Sequence, residues 1–302
     1  MRVNGLTVVI GAGPAGCAAA VQCARLGAPV RLFDRTGYAG GLIANGFSIE
    51  NYPGLEQPLP GPAFAQRLGE HLERFGIAVE QGELTGLEPR GDGWLCRFDG
   101  TELPCFNVIL CTGTQPRPFQ VDGDADLRRR AVFHEVRVLL DALGSPREVV
   151  VVGGGEAALD YSLTLAARGA EVTIAVRGET PRARGRLAAL VADHASIRVA
   201  LGTRVGGLSE AGDRVAVRAV TATGEELWEC DAILAAVGRE SAATDLLGPH
   251  IDDASLQRLE PRPGLFLCGD ARSGSLGQAG IAVGDGLRAA SGAAERIGGP
   301  AR

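Results

Sequence analysis

The stretch LTVVIGAGPAGCAAAVQCARLGAPVRLFD, residues 6–34, decides the fold. It opens with a short, continuous run of leucine and β-branched residues, Leu6–Ile10. Such a run predicts a parallel strand buried on both faces. Three glycines follow at the spacing G-x-G-x-x-G: Gly11, Gly13 and Gly16. The first makes a tight turn, the second lets backbone approach a pyrophosphate, and the third lets helix and strand pack closely. Pro14 and Ala15 complete the cradle at the start of an alanine-rich helix, where N–H groups and the helix dipole attract an anion. A second apolar strand ends at Asp34, followed by Arg35. Asp34 lies 18 residues beyond Gly16, placed for the hydroxyls of a ribose.

The same text recurs about 140 residues later. Glu148–Val152 reads as a strand, Gly153–Gly155 as a glycine loop, EAALDYSLTLAARG as a helix and EVTIAV as the next strand. One glycine loop is weak evidence, but two in full strand–helix–strand context predict an α/β chain. It should hold two Rossmann-like three-layer dinucleotide-binding domains, the second inserted in the first. Between the repeats lie a helix near 63–75 and the strands WLCRF and NVILCTGT. In TQPRP, residues 114–118, the prolines cannot continue a sheet, so a hinge is expected there; the sequence leaves open whether the domains rotate about it and residues 239–243. GLFLCGDARSGS and a final helix from about Gly277 return to the first domain. The expected boundaries are 1–116 with 241–302 for the first domain and 117–240 for the second.

Bulk properties exclude several classes. The chain has 302 residues, 45% hydrophobic and 22% charged, with a net charge of −6. That balance offers no general attraction for nucleic acid or an anionic membrane. No apolar run approaches the roughly 18 residues of a membrane span, and the N-terminal text lacks a signal-peptide pattern. The expected address is the cytoplasm. The seven cysteines form no C-x-x-C and no metal-ligand spacing, so no metal is expected. Their scatter through apolar segments suits reduced, buried thiols.

Near the C-terminus Leu267-Cys268-Gly269-Asp270 reads as a strand ending in Gly-Asp. With GAGPAG at 11–16, GG at 40–41, ENYPG at 50–54, CTGT at 111–114, GGGEAA at 153–158, VGR at 237–239 and GQAGIAVGDG at 277–286, it carries a resemblance almost end to end. The chain resembles the low-molecular-weight thioredoxin reductases and the thioredoxin-reductase-type ferredoxin–NADP reductases. The resemblance implies FAD on the first loop. Gly40, Gly41, Leu42 and Asn51 would lie along the flavin, with Thr112 and Gly113 beside it. Gly269 and Asp270 would hold the ribityl and pyrophosphate region, and Gln278 and Ala279 the pyrimidine end, where N–H donors stabilise a reduced, anionic flavin. Gly153, Gly155, Glu156, Ala157 and Gly238 would hold a pyridine nucleotide. Arg177 and Arg182 match the family's grip on a 2′-phosphate, while Gly178 replaces a second arginine. No carboxylate ends the preceding strand, so NADPH is favoured over NADH.

One departure decides the mechanism. Thioredoxin reductases carry a redox C-x-x-C just before the second domain's first strand. Here that text is AVFHEVRVLLDALGSPREVVVVGGG, without a cysteine. Cys17 and Cys23 stand about 240° apart around a helix and share no face. The helix dipole would lower the Cys17 pKa and a neighbouring phosphate would oppose that. Packing is the better reading for Cys111 and Cys268 as well. His134 and Glu135 fall near the missing cysteines. An imidazole there could protonate an acceptor, although a partly exposed histidine at a domain edge is the better reading. His71, His194 and His250 carry no argument. Three functions stay open. Electrons could pass from NAD(P)H through FAD to an external acceptor such as ferredoxin, flavodoxin or a small molecule. The flavin could instead act directly on an organic or thiol substrate without pyridine nucleotide. Or the chain could be a non-catalytic flavoprotein subunit or regulator. The resemblance also implies a homodimer.

Overall fold

The computed structural model describes residues 5–247, 253–273 and 277–298; His250 lies outside them. The first part of the chain forms β1 (Thr7–Ile10), α1 (Pro14–Arg25), β2 (Val30–Asp34), α2 (Gly61–Arg74) and β3 (Val79–Gln81). It continues with β4 (Leu84–Arg90), β5 (Gly93–Phe98), β6 (Thr101–Cys105), β7 (Asn107–Leu110) and β8 (Thr114–Pro116). The middle forms α3 (Ala125–Ala131), β9 (Val132–Phe133), α4 (Val136–Leu143), β10 (Glu148–Val152), α5 (Glu156–Ala166), β11 (Glu171–Ala175), α6 (Arg186–Ala192) and β12 (Ile197–Ala200). Then come β13 (Arg204–Ala211), β14 (Arg214–Thr221), β15 (Gly224–Cys230) and β16 (Ala232–Ala235). The last part supplies β17 (Arg239–Ser241), α7 (Ala243–Leu247), α8 (Asp253–Leu256), β18 (Leu265–Leu267), α9 (Asp270–Ser273) and α10 (Ala279–Gly298).

The chain divides into two compact units: residues 1–44, 49–115 and 239–302, and residues 45–48 with 116–238. In the first, five strands pair in the order β18-β7-β1-β2-β3, and every pairing is parallel. Side chains alternate across the sheet. Val9 packs with Leu32, Ile109 and Phe266 against the alanines of α1 and α10. Val8 and Ile10 point the other way, against Trp94 and Phe98 of the β4–β5–β6 meander. Both faces are therefore covered, which is why all four residues of β1 are buried and none is charged.

The second unit repeats the plan, with strand order β12-β11-β10-β16-β9. Val149 and Val151 face α4 and α5, while Val150 meets Val217 of the β13–β14–β15 meander. Each unit is thus three layers: helices, a parallel sheet and an antiparallel meander. The meanders close the second face, which the glycine-loop text does not announce.

Two details differ from the sequence reading. Pro116 was expected not to continue a sheet, yet Thr114–Pro116 pairs with β17 in a two-stranded ribbon. Proline is tolerated there because Pro116 is the last residue of an edge strand. Residues 45–48, read as part of the first domain, pack with the second unit.

Candidate functional site

In the first sheet Ile10 is in register with Phe33 and Leu110, and Leu110 with Leu267. The residues after these strand ends, Gly11, Asp34, Cys111 and Cys268, therefore line one carboxyl edge, where α/β sheets bind ligands. Gly11 has φ +97°, and a Cβ there would stand 2.3 Å from the Cys111 carbonyl oxygen. A Cβ on Gly16 would meet the Gly11 oxygen at 1.8 Å, so α1 reaches β1 only without a side chain. Gly13 is different. Its backbone is extended (φ −72°, ψ −175°), and a Cβ would meet only the Gly40 oxygen, at 3.9 Å. Protein atoms do not require this glycine, but the open space in front of the loop does. Pro14 and Ala15 begin α1 directly behind it.

Around that space Gly40 donates to the Ala12 carbonyl at 2.8 Å, and a Cβ on Gly41 would lie 3.1 Å from the Gly13 Cα. Leu42 follows in a 3-10 turn, Gly41–Asn45. Asp34 accepts from Ala12 N–H at 2.8 Å through Oδ2 and from Thr36 N–H and hydroxyl through Oδ1. Arg35 is exposed beside it. The Thr112 hydroxyl is buried with no hydrogen-bond partner among the described residues. An unpaired buried hydroxyl costs about 1–3 kcal/mol, which a polar ligand atom would offset. Gly113 follows with φ +64°. Gly269 (φ +62°) turns the chain from β18 into α9, which Asp270 opens. Burial raises the Asp270 pKa and the charge of Arg239 opposes this. Asn51 donates through Nδ2 to Gln278 Oε1 at 2.5 Å, immediately before Ala279 begins α10. The bare loop, the orphaned hydroxyl and the start of α1, which has no side-chain cap, together fit the pyrophosphate and polar groups of a dinucleotide such as FAD.

The second unit has the same edge. Val152 is in register with Ala175 and Ala235, so Gly153, Val176 and Ala236 line up; Leu234 is in register with Phe133, which sets His134 one residue earlier, level with Ala235. A Cβ on Gly153 would stand 2.4 Å from the Ala236 oxygen, repeating Gly11 against Cys111. Gly155 precedes α5, whose first residues are Glu156 and Ala157. The turn after β11 folds over this loop: Arg182 and Ala183 both donate N–H to the Gly154 carbonyl. The Arg182 guanidinium comes within 3.7 Å of the Cβ position of Gly155, and Arg177 is exposed on the same turn. Gly238 (φ +121°) accepts from Arg117 N–H. His134 is half-buried, with Nδ1 3.2 Å from the Ala235 carbonyl oxygen. A carbonyl only accepts, so Nδ1 carries the proton and Nε2 remains available.

Where the redox pair would lie, α4 presents Val136 and Leu139, both fully buried. Its N-terminus is satisfied from afar: Asn45 Oδ1 accepts from Arg137 N–H at 3.1 Å, and Asn45 Nδ2 donates to Glu135 at 3.3 Å. Phe47 N–H donates to Asp160 Oδ2 at 2.9 Å. Burial pushes the Asp160 carboxyl up to about 6, the Phe47 bond opposes this, and nearby Glu156 adds to it. Neither Asn45 nor Asp160 carries a sequence signal, because each acts across 90 or more residues.

All seven cysteines are unpaired and buried. For Cys17 burial decides the matter. Its thiol donates to the Ala12 carbonyl, and burial, with Asp34 nearby, raises it to about 12. Desolvation outweighs the helix dipole. No cluster of three metal-ligating side chains occurs among the described residues. No helix among them is long and apolar enough to cross a membrane.

Comparison with known proteins accords with this geometry. The pyridine nucleotide-disulphide oxidoreductase family profile matches residues 6–286. Thioredoxin reductase of Bacillus subtilis is 31% identical over 292 residues, covering 94% of this chain and 92% of that one. The crystal structure of Lactococcus lactis thioredoxin reductase in its FR conformation superposes with a TM-score of 0.84 at 29% identity, covering 96% of this chain and 98% of the other. The T. acidophilum enzyme gives 0.83 at 25% identity, covering 95% and 97%. The chain therefore belongs to the pyridine nucleotide-disulphide oxidoreductase family, as a thioredoxin-reductase-like flavoprotein oxidoreductase with no C-x-x-C in its sequence.

Proposed function

We propose that the protein passes electrons from NADPH through FAD to an external acceptor, a ferredoxin, a flavodoxin or a small molecule, without an internal disulfide. The observation that carries this is the contrast between two sites. The glycine cradle of the first unit has every feature a dinucleotide needs, while the segment that bears redox thiols in the thioredoxin reductases offers the buried alkyl groups of Val136 and Leu139. FAD, when bound, supplies a carrier that accepts a hydride and releases electrons singly or in pairs.

The chain's own residues bind and orient. Gly11, Gly13, Pro14, Ala15 and Gly16 present N–H groups to the pyrophosphate, and Asp34 accepts ribose hydroxyls. Asp270 holds the ribityl end, and Gln278 with Ala279 offers donors at the start of α10. In the second unit Gly153 and Gly155 face the nucleotide's phosphates, and Arg177 and Arg182 supply charge for a 2′-phosphate. Support for NADPH is the position of the Arg182 guanidinium over the loop, with no carboxylate ending β11. His134, its Nδ1 proton committed to Ala235, carries a transferable proton on Nε2 only as imidazolium. Buried, unpaired thiols suit the reducing cytoplasm, and the relatives' likeness supports a homodimer.

Anaerobic stopped-flow mixing with NADPH or NADH tests the reading. Rapid bleaching of the flavin band by NADPH, followed by reoxidation with ferredoxin, flavodoxin or a quinone, is the expected result. Thioredoxin should restore no colour. If neither nucleotide bleaches the flavin and an organic substrate does, the second unit is structural and the proposal is wrong.

A further inference from the structure

We infer that Asp285 is a positioning residue for the cofactor site, aiming Asp270 by holding the Gly269 backbone N–H before it and the Arg272 guanidinium after it. The inference rests on the reading of the first unit as an FAD site. Asp285 lies in α10 and is only 4% exposed. Its Oδ2 accepts from Gly269 N–H at 3.1 Å and from Arg272 Nε at 3.1 Å, and its Oδ1 accepts from Arg272 Nη2 at 2.6 Å. The residue before Asp270 and the residue two after it are thus held by one carboxylate.

The turn cannot hold itself. Helix α9 has four residues, too few to be stable alone. Gly269 is left-handed, and a Cβ there would lie 3.2 Å from the methyls of both Ala15 and Ala282. Its conformation is set by contact with α1 and α10. The neighbour of Asp285 fixes that contact: a Cβ on Gly286 would stand 2.2 Å from the Ala15 carbonyl oxygen, so the two helices meet backbone to backbone. Consecutive residues of α10 therefore lock both walls of the site, Gly286 against the glycine loop and Asp285 against the Gly-Asp turn. The Asp285 carbonyl also accepts from the Cys268 thiol, and Arg272 is anchored a second time on the Gln257 carbonyl.

A buried ion pair is weak evidence for stability, since apolar replacements of similar volume often fold as well or better. What such replacements lack is an acceptor for Gly269 N–H. That difference separates positioning from mere packing. In the pair Arg272→Gln/Asp285→Asn the charge is gone but an amide oxygen remains for Gly269. In Arg272→Met/Asp285→Leu no acceptor remains. The measurements are FAD titration of the deflavinated protein by flavin fluorescence quenching and thermal unfolding of the same apoproteins. The amide pair should hold FAD within about threefold of the unsubstituted protein. The apolar pair should lose at least tenfold in affinity while its apoprotein melts no lower. Equal FAD affinity in the two pairs, or affinity that follows apoprotein melting alone, overturns the inference. If either pair fails to fold, hydrogen exchange decides on the unsubstituted apoprotein. A protected Gly269 amide supports the inference, and a freely exchanging one overturns it. Failure of the unsubstituted protein to take up FAD refutes the cofactor reading instead, before any variant is compared.

Discussion

Replacing Gly13 by alanine should leave the folded chain intact and expel its cofactor. At φ −72° and ψ −175° the backbone suits any residue, and the added methyl meets no protein atom closer than 3.9 Å. Losing glycine freedom in the unfolded chain stabilises by about 0.4–1 kcal/mol. Alanine is a poorer N-cap than glycine by a similar amount, so the two effects nearly cancel. The apoprotein should then melt within about 4 °C of the parent, given roughly 2–4 °C per kcal/mol for chains of this order of size. FAD binding should suffer far more. The methyl occupies the space in front of the loop, an overpacking cost of about 1–3 kcal/mol. It also parts the loop N–H groups from a charged acceptor, at about 1.5–3 kcal/mol for each bond lost. Together these raise the FAD dissociation constant by at least about 60-fold, at about 1.4 kcal/mol per tenfold. Gly16→Ala is the control, because its methyl would lie 1.8 Å from the Gly11 oxygen and should prevent the first unit from folding. The assay is FAD titration of each apoprotein beside its thermal unfolding. An FAD dissociation constant for Gly13→Ala within threefold of the parent would refute the reasoning, as would unfolding of its apoprotein like that of Gly16→Ala.

Other expectations follow from the second unit. Asp160 is raised to about 6 when folded, against an ordinary value of 3.8. The folded chain thus keeps a proton that the unfolded chain has released, and stability from this group falls as pH rises from about 4 to 6, then levels. Asp160→Asn should gain on the parent across that window by on the order of 2 kcal/mol, since each tenfold change in proton affinity is about 1.4 kcal/mol. Urea unfolding at pH 4 and pH 7 reads the difference, and a gain independent of pH contradicts it. Asn45→Ala removes the acceptor at the start of α4 and should destabilise by about 0.5–2 kcal/mol, seen as faster exchange of the Arg137 amide. Arg182→Ala should raise KM for NADPH roughly tenfold or more while leaving NADH unchanged, since a charge-assisted bond contributes about 1.5–3 kcal/mol. An equal change for both nucleotides would show that Arg182 does not read the 2′-phosphate.

The sequence alone determined what depends on neighbours in the chain. Gly11, Gly13 and Gly16, with the apolar runs on either side, specify a strand, a turn and a helix start through local sterics. The same holds for Gly153 and Gly155, and two such units imply the α/β plan. The absence of C-x-x-C is also complete in the sequence. Only the tertiary structure decided what depends on distant partners. Asn45 reaches Arg137, Phe47 reaches Asp160, and Asp285 reaches Gly269, and no pattern of spacing announces any of them. It also decided Cys17, where the sequence set a helix start against a neighbouring phosphate, and burial among α1, the sheet and α10 raises the thiol pKa. It split the glycines by purpose as well. Gly11 and Gly16 are demanded by protein backbone within about 2 Å of a would-be Cβ, while Gly13 faces open space. The spacing that makes the loop recognisable is local, and which of its glycines serves the fold and which serves a ligand is a matter of what lies opposite each one.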